Sequence, residues 1–363
     1  MSIWNLANQS LQKLVPYEPG KPIDDVAREL GLPPSGIIKL ASNENPLGPS
    51  PKAVEAITQA ARSVHIYPDG GSFHLASAIA TKLGVDRSQI ILGNGSNEII
   101  EFAYHAFTAP GQSSVVASRY AFAVYRLMAE LFNIEFIEVP DRDFHHDLTA
   151  LRAALRPDTR LLFLASPNNP TGTRIPNAEL EAFLRSLPPH VVTVLDEAYY
   201  EFMDNPPPSI QWTQQGLNLI VLRTFSKIQG LAGLRIGYGV ASREITEVLQ
   251  RCRQPFNANA LAQAAALAAL NDSAHAEKTR QLTGLGREKL ESFARQHSLD
   301  HVKSEANFVL IKVGDGQKVF TELLQRGVIV RSMKSYGLPE WIRVSIGTPA
   351  EMERFEKELL EVL

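Results

Sequence analysis

The sequence has almost no cysteine and no long apolar run. Its single cysteine, Cys252, excludes a disulfide within the chain and is typical of a reducing compartment. No segment approaches the roughly 20 apolar residues that a membrane-spanning helix needs. The first 20 residues also lack the apolar core of a signal peptide. We therefore expect a cytoplasmic protein.

The charge is nearly balanced, because 36 Lys and Arg residues face 39 Asp and Glu residues, for a net charge of -3. No long run of one sign occurs, so neither a nucleic acid nor an anionic membrane is an expected partner. The nine histidines show no metal-ligand spacing; His145 and His146 are simple neighbours in a charged loop. A Gly-x-Ser-x-Gly nucleophile motif is absent as well.

With 363 residues, of which 44% are hydrophobic, the chain is too long for one simple core. Residues 1–45 are rich in proline and glycine, which suggests an arm that packs with a smaller domain. We expect a large domain over residues 46–260 and a small C-terminal domain over residues 261–363.

Seven short apolar runs in the first 240 residues lack period-two alternation, which is typical of strands buried on both faces. Helical stretches separate them, so the sequence predicts an α/β fold: a mostly parallel seven-stranded sheet covered by helices. The smaller domain is also predicted to be α/β. The seven predicted strands are Gln89–Leu92, Ser114–Ala117, Ile134–Val139, Leu161–Ala165, Val191–Leu195, Leu219–Leu222 and Ile236–Val240. Those of the small domain are Asn307–Val313, Val328–Val330 and Trp341–Ile346.

Polar residues follow three of these strands, where ligands of parallel sheets bind. Asn168, Asp196 and Lys227 each lie within about five residues of a strand end. An amine that forms a Schiff base and a carboxylate that pairs with a ring nitrogen are what pyridoxal phosphate (PLP) chemistry requires. By themselves, Asp196 could equally cap a helix and Lys227 could be a surface lysine.

Other nearby residues fit the rest of such a cofactor. Tyr199 and Asn168 could donate to its ring oxygen, although a packed aromatic residue and a turn asparagine are the alternatives. A phosphate could be bound where a glycine-rich turn opens a helix, a common anion site that is a weak signal alone. The candidate phosphate ligands are Gly95, Ser96, Asn97, Thr224, Ser226 and Arg235.

Five motifs together resemble the fold-type I PLP aminotransferases, and within them the histidinol-phosphate aminotransferases. The motifs are Asn43-Glu44-Asn45-Pro46, Ser166-Pro167-Asn168-Asn169-Pro170-Thr171-Gly172, Asp196-Glu197-Ala198-Tyr199, Thr224-Phe225-Ser226-Lys227 and Gly233-Leu234-Arg235-Ile236-Gly237. The resemblance implies that Lys227 holds PLP covalently, that Asp196 pairs with the pyridinium nitrogen, and that Tyr199 and Asn168 contact the ring oxygen.

Further roles follow from the resemblance. Tyr120 matches the aromatic residue that stacks on the cofactor ring, and Tyr67 matches a tyrosine that reaches the cofactor of the neighbouring subunit, which implies a homodimer. Substrate binding is expected from Arg343, Arg331, Tyr17 and Asn45. For Arg343 the strand pattern agrees, because Ile342, Val344 and Ile346 share one face and leave the arginine on the other. Arg331 could also be a solvated strand-end arginine.

The implied reaction is reversible transamination between histidinol phosphate and 2-oxoglutarate, giving imidazole acetol phosphate and glutamate, a step of histidine biosynthesis. An aromatic amino-acid aminotransferase is the close alternative, and a threonine-phosphate decarboxylase would use the same motifs. A non-catalytic cofactor-binding protein is disfavoured by the intact set of Lys227, Asp196 and Arg343.

Overall fold

A computed structural model describes residues 2–16 and 20–363. Within this part the chain forms three sheets flanked by helices. The strands are β1 Ile38–Lys39, β2 Ile90–Gly93, β3 Ser114–Ser118, β4 Glu135–Val139, β5 Thr159–Ala165, β6 Val192–Asp196, β7 Leu219–Thr224, β8 Gly237–Val240, β9 His301–Val302, β10 Phe308–Lys312, β11 Val328–Ile329, β12 Arg331–Ser332 and β13 Trp341–Ser345.

The helices alternate with the strands in the first two thirds of the chain. They are α1 Gln9–Lys13, α2 Ile23–Leu30, α3 Pro51–Ala60, α4 Phe73–Leu83, α5 Ser96–Phe107, α6 Ala123–Leu131, α7 Leu148–Ala153, α8 Asn177–Arg185, α9 Ser209–Trp212, α10 Arg243–Gln250, α11 Ala260–Leu270, α12 Ser273–Gln296, α13 Gly316–Gln325 and α14 Pro349–Val362. None of these described helices combines the length and apolarity that crossing a membrane requires.

The main sheet has seven strands in the order β2-β8-β7-β6-β5-β3-β4, and β8 alone runs antiparallel to its neighbours. Successive residues alternate between two buried clusters; Leu161, for example, belongs to one and Leu162 to the other. Helices cover both faces, which explains why the strand sequences are apolar throughout. The predicted α/β fold with a mostly parallel seven-stranded sheet is confirmed.

The C-terminal part forms a four-stranded antiparallel sheet in the order β12-β13-β10-β9. In β13, Ile342 and Val344 point into a core with α12, α13 and α14, whereas Arg343 faces the cavity described below. The predicted division of the two faces of this strand is therefore confirmed.

The first forty residues contribute to this C-terminal core. Strand β1 pairs in parallel with β11, and Leu40 is buried in the same core. Helix α11 instead packs against α3 and α4 beside the main sheet. The domain boundaries at residues 45 and 260 stay a prediction.

Candidate active site

A cavity of about 500 Å³ lies at the carboxyl ends of β5, β6 and β7. Because these parallel strands are adjacent, their last residues, Ala165, Asp196 and Thr224, come together at one edge of the sheet. The segment 41–44, Arg331 on β12 and Arg343 on β13 form the opposite wall. The cavity therefore lies between the main sheet and the C-terminal part of the chain.

Lys227 lies three residues beyond β7, and its amine faces the cavity. Its Nζ donates to the backbone carbonyls of Ser42 and Asn43, each at 3.2 Å. Burial, and to a smaller extent the nearby Arg343 and Arg235, lower the pKa of Lys227 to about 8. A depressed pKa gives a larger fraction of neutral, nucleophilic amine near neutral pH.

Asp196 ends β6 as predicted, and its side chain is 7% exposed. The phenol of Tyr125 donates to Oδ2 at 2.9 Å, while Oδ1 accepts from the backbone N–H of Ala198 at 3.0 Å. Burial raises the pKa of Asp196, which the hydrogen bonds and Lys227 oppose. The carboxylate thus stabilises the following turn and also faces the cavity.

Tyr199 lies beside Lys227, whose Nζ is 5.6 Å from the centre of the phenol ring. The side-chain amide of Asn43 donates to the Tyr199 hydroxyl at 2.9 Å, and Asn43 in turn accepts from Ser345. Burial raises the pKa of Tyr199 to about 12. The phenol therefore stays protonated at neutral pH and can donate its own hydrogen.

The amino end of α5 lies at the cavity and is its candidate anion site. Gly95 precedes the helix with φ +78°, and Ser96 and Asn97 line the cavity. Thr224, Ser226 and Arg235 line it from the β7–β8 side. Free N–H groups, hydroxyls and a guanidinium converge here, a combination that binds phosphate.

Arg343 and Arg331 stand directly opposite each other on paired strands and both line the cavity. Arg343 is 7% exposed and donates to Asn169 Oδ1 and, at 2.8 Å, to the carbonyl of Ala41. Two guanidinium groups at one end of a cavity favour an anionic ligand or an anionic part of one.

Three predicted residues lie outside the cavity lining. Asn168 does not line the cavity; its amide nitrogen donates to the Tyr120 carbonyl and, at 2.9 Å, to Thr171. Tyr120 packs on Phe144 with ring centres 5.9 Å apart, outside the cavity lining. Asn45 donates to the carbonyl of Ile228 at 2.8 Å and thereby supports the backbone behind the site.

Two predicted residues lie elsewhere. Tyr67 is 79% exposed and stacks on Phe256 outside the cavity of its own chain. Tyr17 falls on residues 17–19, which lie outside the described part of the chain.

The structure also reveals cavity residues that the sequence reasoning missed: Asn43, Phe122, Tyr125 and Asn169. Asn169 and Phe122 occupy the places expected for Asn168 and Tyr120, one and two residues away. The repeated asparagine in Pro-Asn-Asn-Pro and the aromatic residues at 120, 122 and 125 were the available signals.

Together these groups supply a nucleophilic amine, a buried carboxylate, a phenol donor and two separate sites for anions. Among the described residues no cluster of His, Cys, Asp and Glu could hold a metal ion. Such a set suits chemistry at a carbonyl or amine carbon of an anionic ligand.

Comparison with known proteins identifies the class. A family model described as aminotransferase class I and II matches residues 35–359. A histidinol-phosphate aminotransferase of Akkermansia muciniphila is 51% identical over the full length of both chains. One from Cupriavidus pinatubonensis is 50% identical and covers 95% of this chain and 93% of its own.

A solved structure of similar shape is that of histidinol-phosphate aminotransferase from Sinorhizobium meliloti in complex with pyridoxal-5'-phosphate. Its TM-score is 0.90 at 28% identity, covering 98% of this chain and 97% of that one. The chain belongs to the class I and II aminotransferases. The relatives that share about half of its residues over nearly their whole lengths are histidinol-phosphate aminotransferases.

Proposed function

We propose that the protein is a PLP-dependent aminotransferase that exchanges the amino group between histidinol phosphate and 2-oxoglutarate. One observation supports this proposal above the others: Lys227 and Asp196 line the same cavity as Arg331 and Arg343. The two arginines are neighbours on paired strands in the opposite wall. The names of the relatives at 50% and 51% identity agree with this substrate pair.

The donor set fits the cofactor. The amino end of α5 is kept open by glycine, since a Cβ at Gly95 would lie 2.5 Å from Arg235 Nη2. A Cβ at Gly237 would likewise lie 2.5 Å from the backbone nitrogen of Ser96. This cradle would hold the phosphate, Lys227 the aldehyde carbon, Asp196 the ring nitrogen, and Tyr199 with Asn169 the ring oxygen.

When bound, PLP supplies an electrophilic carbon and an electron sink. The protein's residues move the proton of the substrate carbon and orient the cofactor and the substrate. As a neutral amine, Lys227 Nζ would take the proton from the substrate carbon that bears nitrogen and would be the group that gives it back. Asp196 would stay anionic beside the protonated ring nitrogen of the cofactor, because opposite charges favour each other's ionised state.

The two arginines suit both half-reactions. Arg343 is fixed by Asn169 and Ala41 and would bind the α-carboxylate of glutamate. Arg331, on the neighbouring strand, would meet the side-chain carboxylate of glutamate or the phosphate of histidinol phosphate. A single pair of guanidinium groups can thus serve two substrates of different length.

The test is a comparison of kcat/KM for histidinol phosphate, phenylalanine and threonine phosphate with the same enzyme preparation. The proposal expects transamination of histidinol phosphate to be fastest by at least about tenfold, because one charge-assisted pair contributes that much. Faster turnover of phenylalanine would assign an aromatic aminotransferase instead. Release of carbon dioxide from threonine phosphate would assign a decarboxylase.

We also propose a homodimer in which Tyr67 contributes to the partner's site. Apolar side chains cluster around this residue in sequence and are exposed: Val64 at 59%, Ile66 at 61% and Tyr67 at 79%. Exposed apolar groups of this size are typical of an interface. The cytoplasm is the proposed location, supported by the single cysteine.

A further inference from the structure

An ion pair lies buried directly behind the active site. Glu197 follows Asp196, and Arg223 precedes Thr224. Nε and Nη2 of Arg223 both donate to Oε2 of Glu197 at 2.9 Å. The Glu197 side chain is fully buried and that of Arg223 is 5% exposed, so water does not screen the pair.

Both residues of the ion pair also contact neighbouring parts of the main sheet and the turn after β6. Arg223 lies over the ring of Tyr200 at 3.6 Å from its centre and is paired in register with Tyr238 on β8. The Glu197 backbone N–H donates to the carbonyl of Leu222 at 2.9 Å. The charged pair therefore connects β6, β7 and β8 at the edge where the cavity opens.

A second hydrogen bond, between Glu201 and Gln229, joins the same two segments closer to Lys227. Oε1 of Glu201 accepts from the side-chain amide of Gln229 at 3.3 Å, and Gln229 lies two residues beyond Lys227. One segment, 196–201, carries Asp196 and Tyr199. The other, 223–229, carries Thr224, Ser226 and Lys227. Glu197 with Arg223 and Glu201 with Gln229 join these two segments at two points.

Stability alone does not account for such a pair. Removing two charges from water is unfavourable, and apolar residues of similar volume often replace a buried ion pair with no loss of stability. The planar guanidinium of Arg223, stacked on an aromatic ring and donating two N–H groups, does however fix the orientation of Glu197 relative to β7. Apolar side chains could fill the same volume without fixing that orientation.

We propose that Glu197 and Arg223 are positioning residues that fix the spacing between Asp196 and Lys227. The two segments must hold the ring nitrogen and the reacting carbon of one rigid cofactor, so a small change in their spacing would misalign one contact. This inference rests on the proposed function for the identity of the cofactor. It assigns to Glu197 and Arg223 no contact with substrate or cofactor.

The test uses the double variant Glu197→Leu/Arg223→Met, which removes both charges and keeps the volume. We expect a folded protein whose melting temperature stays within about 5 °C of the parent, as apolar replacement of a buried pair allows. PLP should bind the apo-protein at least about tenfold more weakly, as coupled residues in one network can show. The pH midpoint of the bound cofactor's absorbance should shift, and kcat should fall while KM changes little.

The matched control is Arg326→Met/Glu358→Leu, which removes a 3.0 Å ion pair between the residue after α13 and α14, outside the cavity lining. It should leave the PLP dissociation constant and kcat unchanged. A folded Glu197→Leu/Arg223→Met protein with parental PLP affinity and kcat would overturn the proposal, because the pair would then be structural only.

If the double variant does not fold, Arg223→Lys decides, since it keeps the charge but loses the two-nitrogen contact and the planar stacking. Weaker PLP binding in folded Arg223→Lys supports positioning, and parental binding overturns it. The PLP measurements need no substrate. Failure of the parent protein to bind PLP would therefore contradict the proposed function separately from this inference.

Discussion

At the scale of single residues, Lys227 is the most direct test of the site. Lys227→Ala should lower transamination by at least about a hundredfold, because proton transfer by a placed base contributes that much or more. PLP should then bind without a covalent bond. Steady-state rates and borohydride reduction followed by peptide mapping measure both effects. The surface variant Lys278→Ala should behave as the parent, and a pyridoxyl label on any other lysine would refute the assignment.

Arg331 and Arg343 should differ in which substrates they affect. Removing a charge-assisted pair costs about 1.5–3 kcal/mol, or roughly ten- to over a hundredfold in kcat/KM. Arg331→Ala should therefore reduce the rate with histidinol phosphate far more than with phenylalanine, which carries no phosphate. Arg343→Ala should impair glutamate and phenylalanine alike, since both carry an α-carboxylate.

Steady-state kinetics of the two arginine variants with all three substrates measures the difference. Arg243→Ala, on the exposed face of α10, is the control for a lost guanidinium. Equal losses for phosphorylated and aromatic substrates in Arg331→Ala would remove the support for a phosphate contact at this position.

Glu44 should hold the pKa of Lys227 up. Burial, with Arg343 and Arg235, lowers that pKa to about 8, while Glu44, on the cavity wall, acts in the opposite direction. Glu44→Gln removes the negative charge, so the ammonium form is disfavoured and the pKa should fall below 8.

The acetylation rate of Lys227 in apo-protein, followed against pH by mass spectrometry, should then reach half its maximum at lower pH. Glu244→Gln, on exposed α10, should leave the midpoint unchanged; a midpoint near 10 in the parent would contradict the depressed pKa.

At the scale of elements, the amino end of α5 depends on one glycine. Gly95→Ala would place a Cβ 2.5 Å from Arg235 Nη2 in the space proposed for phosphate. Gly111 has a similar φ of +71° but no atom within 4 Å of an added Cβ. Both alanine variants should lose stability because of the positive φ, and Gly95→Ala should lose more, since its ψ of 164° places it in a region that is essentially restricted to glycine. Only Gly95→Ala should also weaken PLP binding, by titration of the apo-protein, and equal PLP affinity in the two variants would contradict the phosphate cradle.

The elements that could be predicted from the sequence are those with a long apolar pattern. All seven strands of the main sheet were expected within two residues of their bounds, because burial on both faces makes each one apolar throughout. Strands β1, β9 and β12 were not predicted, since each has only two residues and two residues carry no periodicity. The sequence also located the motif loops at the cavity. It did not predict which residue of each loop faces the cavity. Asn168 and Asn169 have the same chemistry, and only the packing of Tyr120 and Arg343 around them distinguishes the two.

At the scale of the whole molecule, a homodimer is expected. Light scattering should give twice the 40.0 kDa mass of the chain. Val64→Asp/Ile66→Asp should produce monomers and lower activity, because charges in a buried apolar contact are costly. Leu285→Asp replaces an apolar residue that is 69% exposed on α12 and should leave mass and activity unchanged. A fully active monomer would refute a shared site.

The parallel pairing of β1 with β11 has a consequence for biosynthesis. Ile38 lies beside Val328, so residues near the two ends of the chain are neighbours in one small core. A ribosome releases the first strand long before its partner exists, and closing so long a loop carries an entropic cost that only the completed core can offset. The segment that carries Ser42 and Asn43 to the reactive lysine therefore reaches its place after translation of residue 328. The active site is among the last parts of the molecule to assemble, and a nascent or truncated chain lacks it.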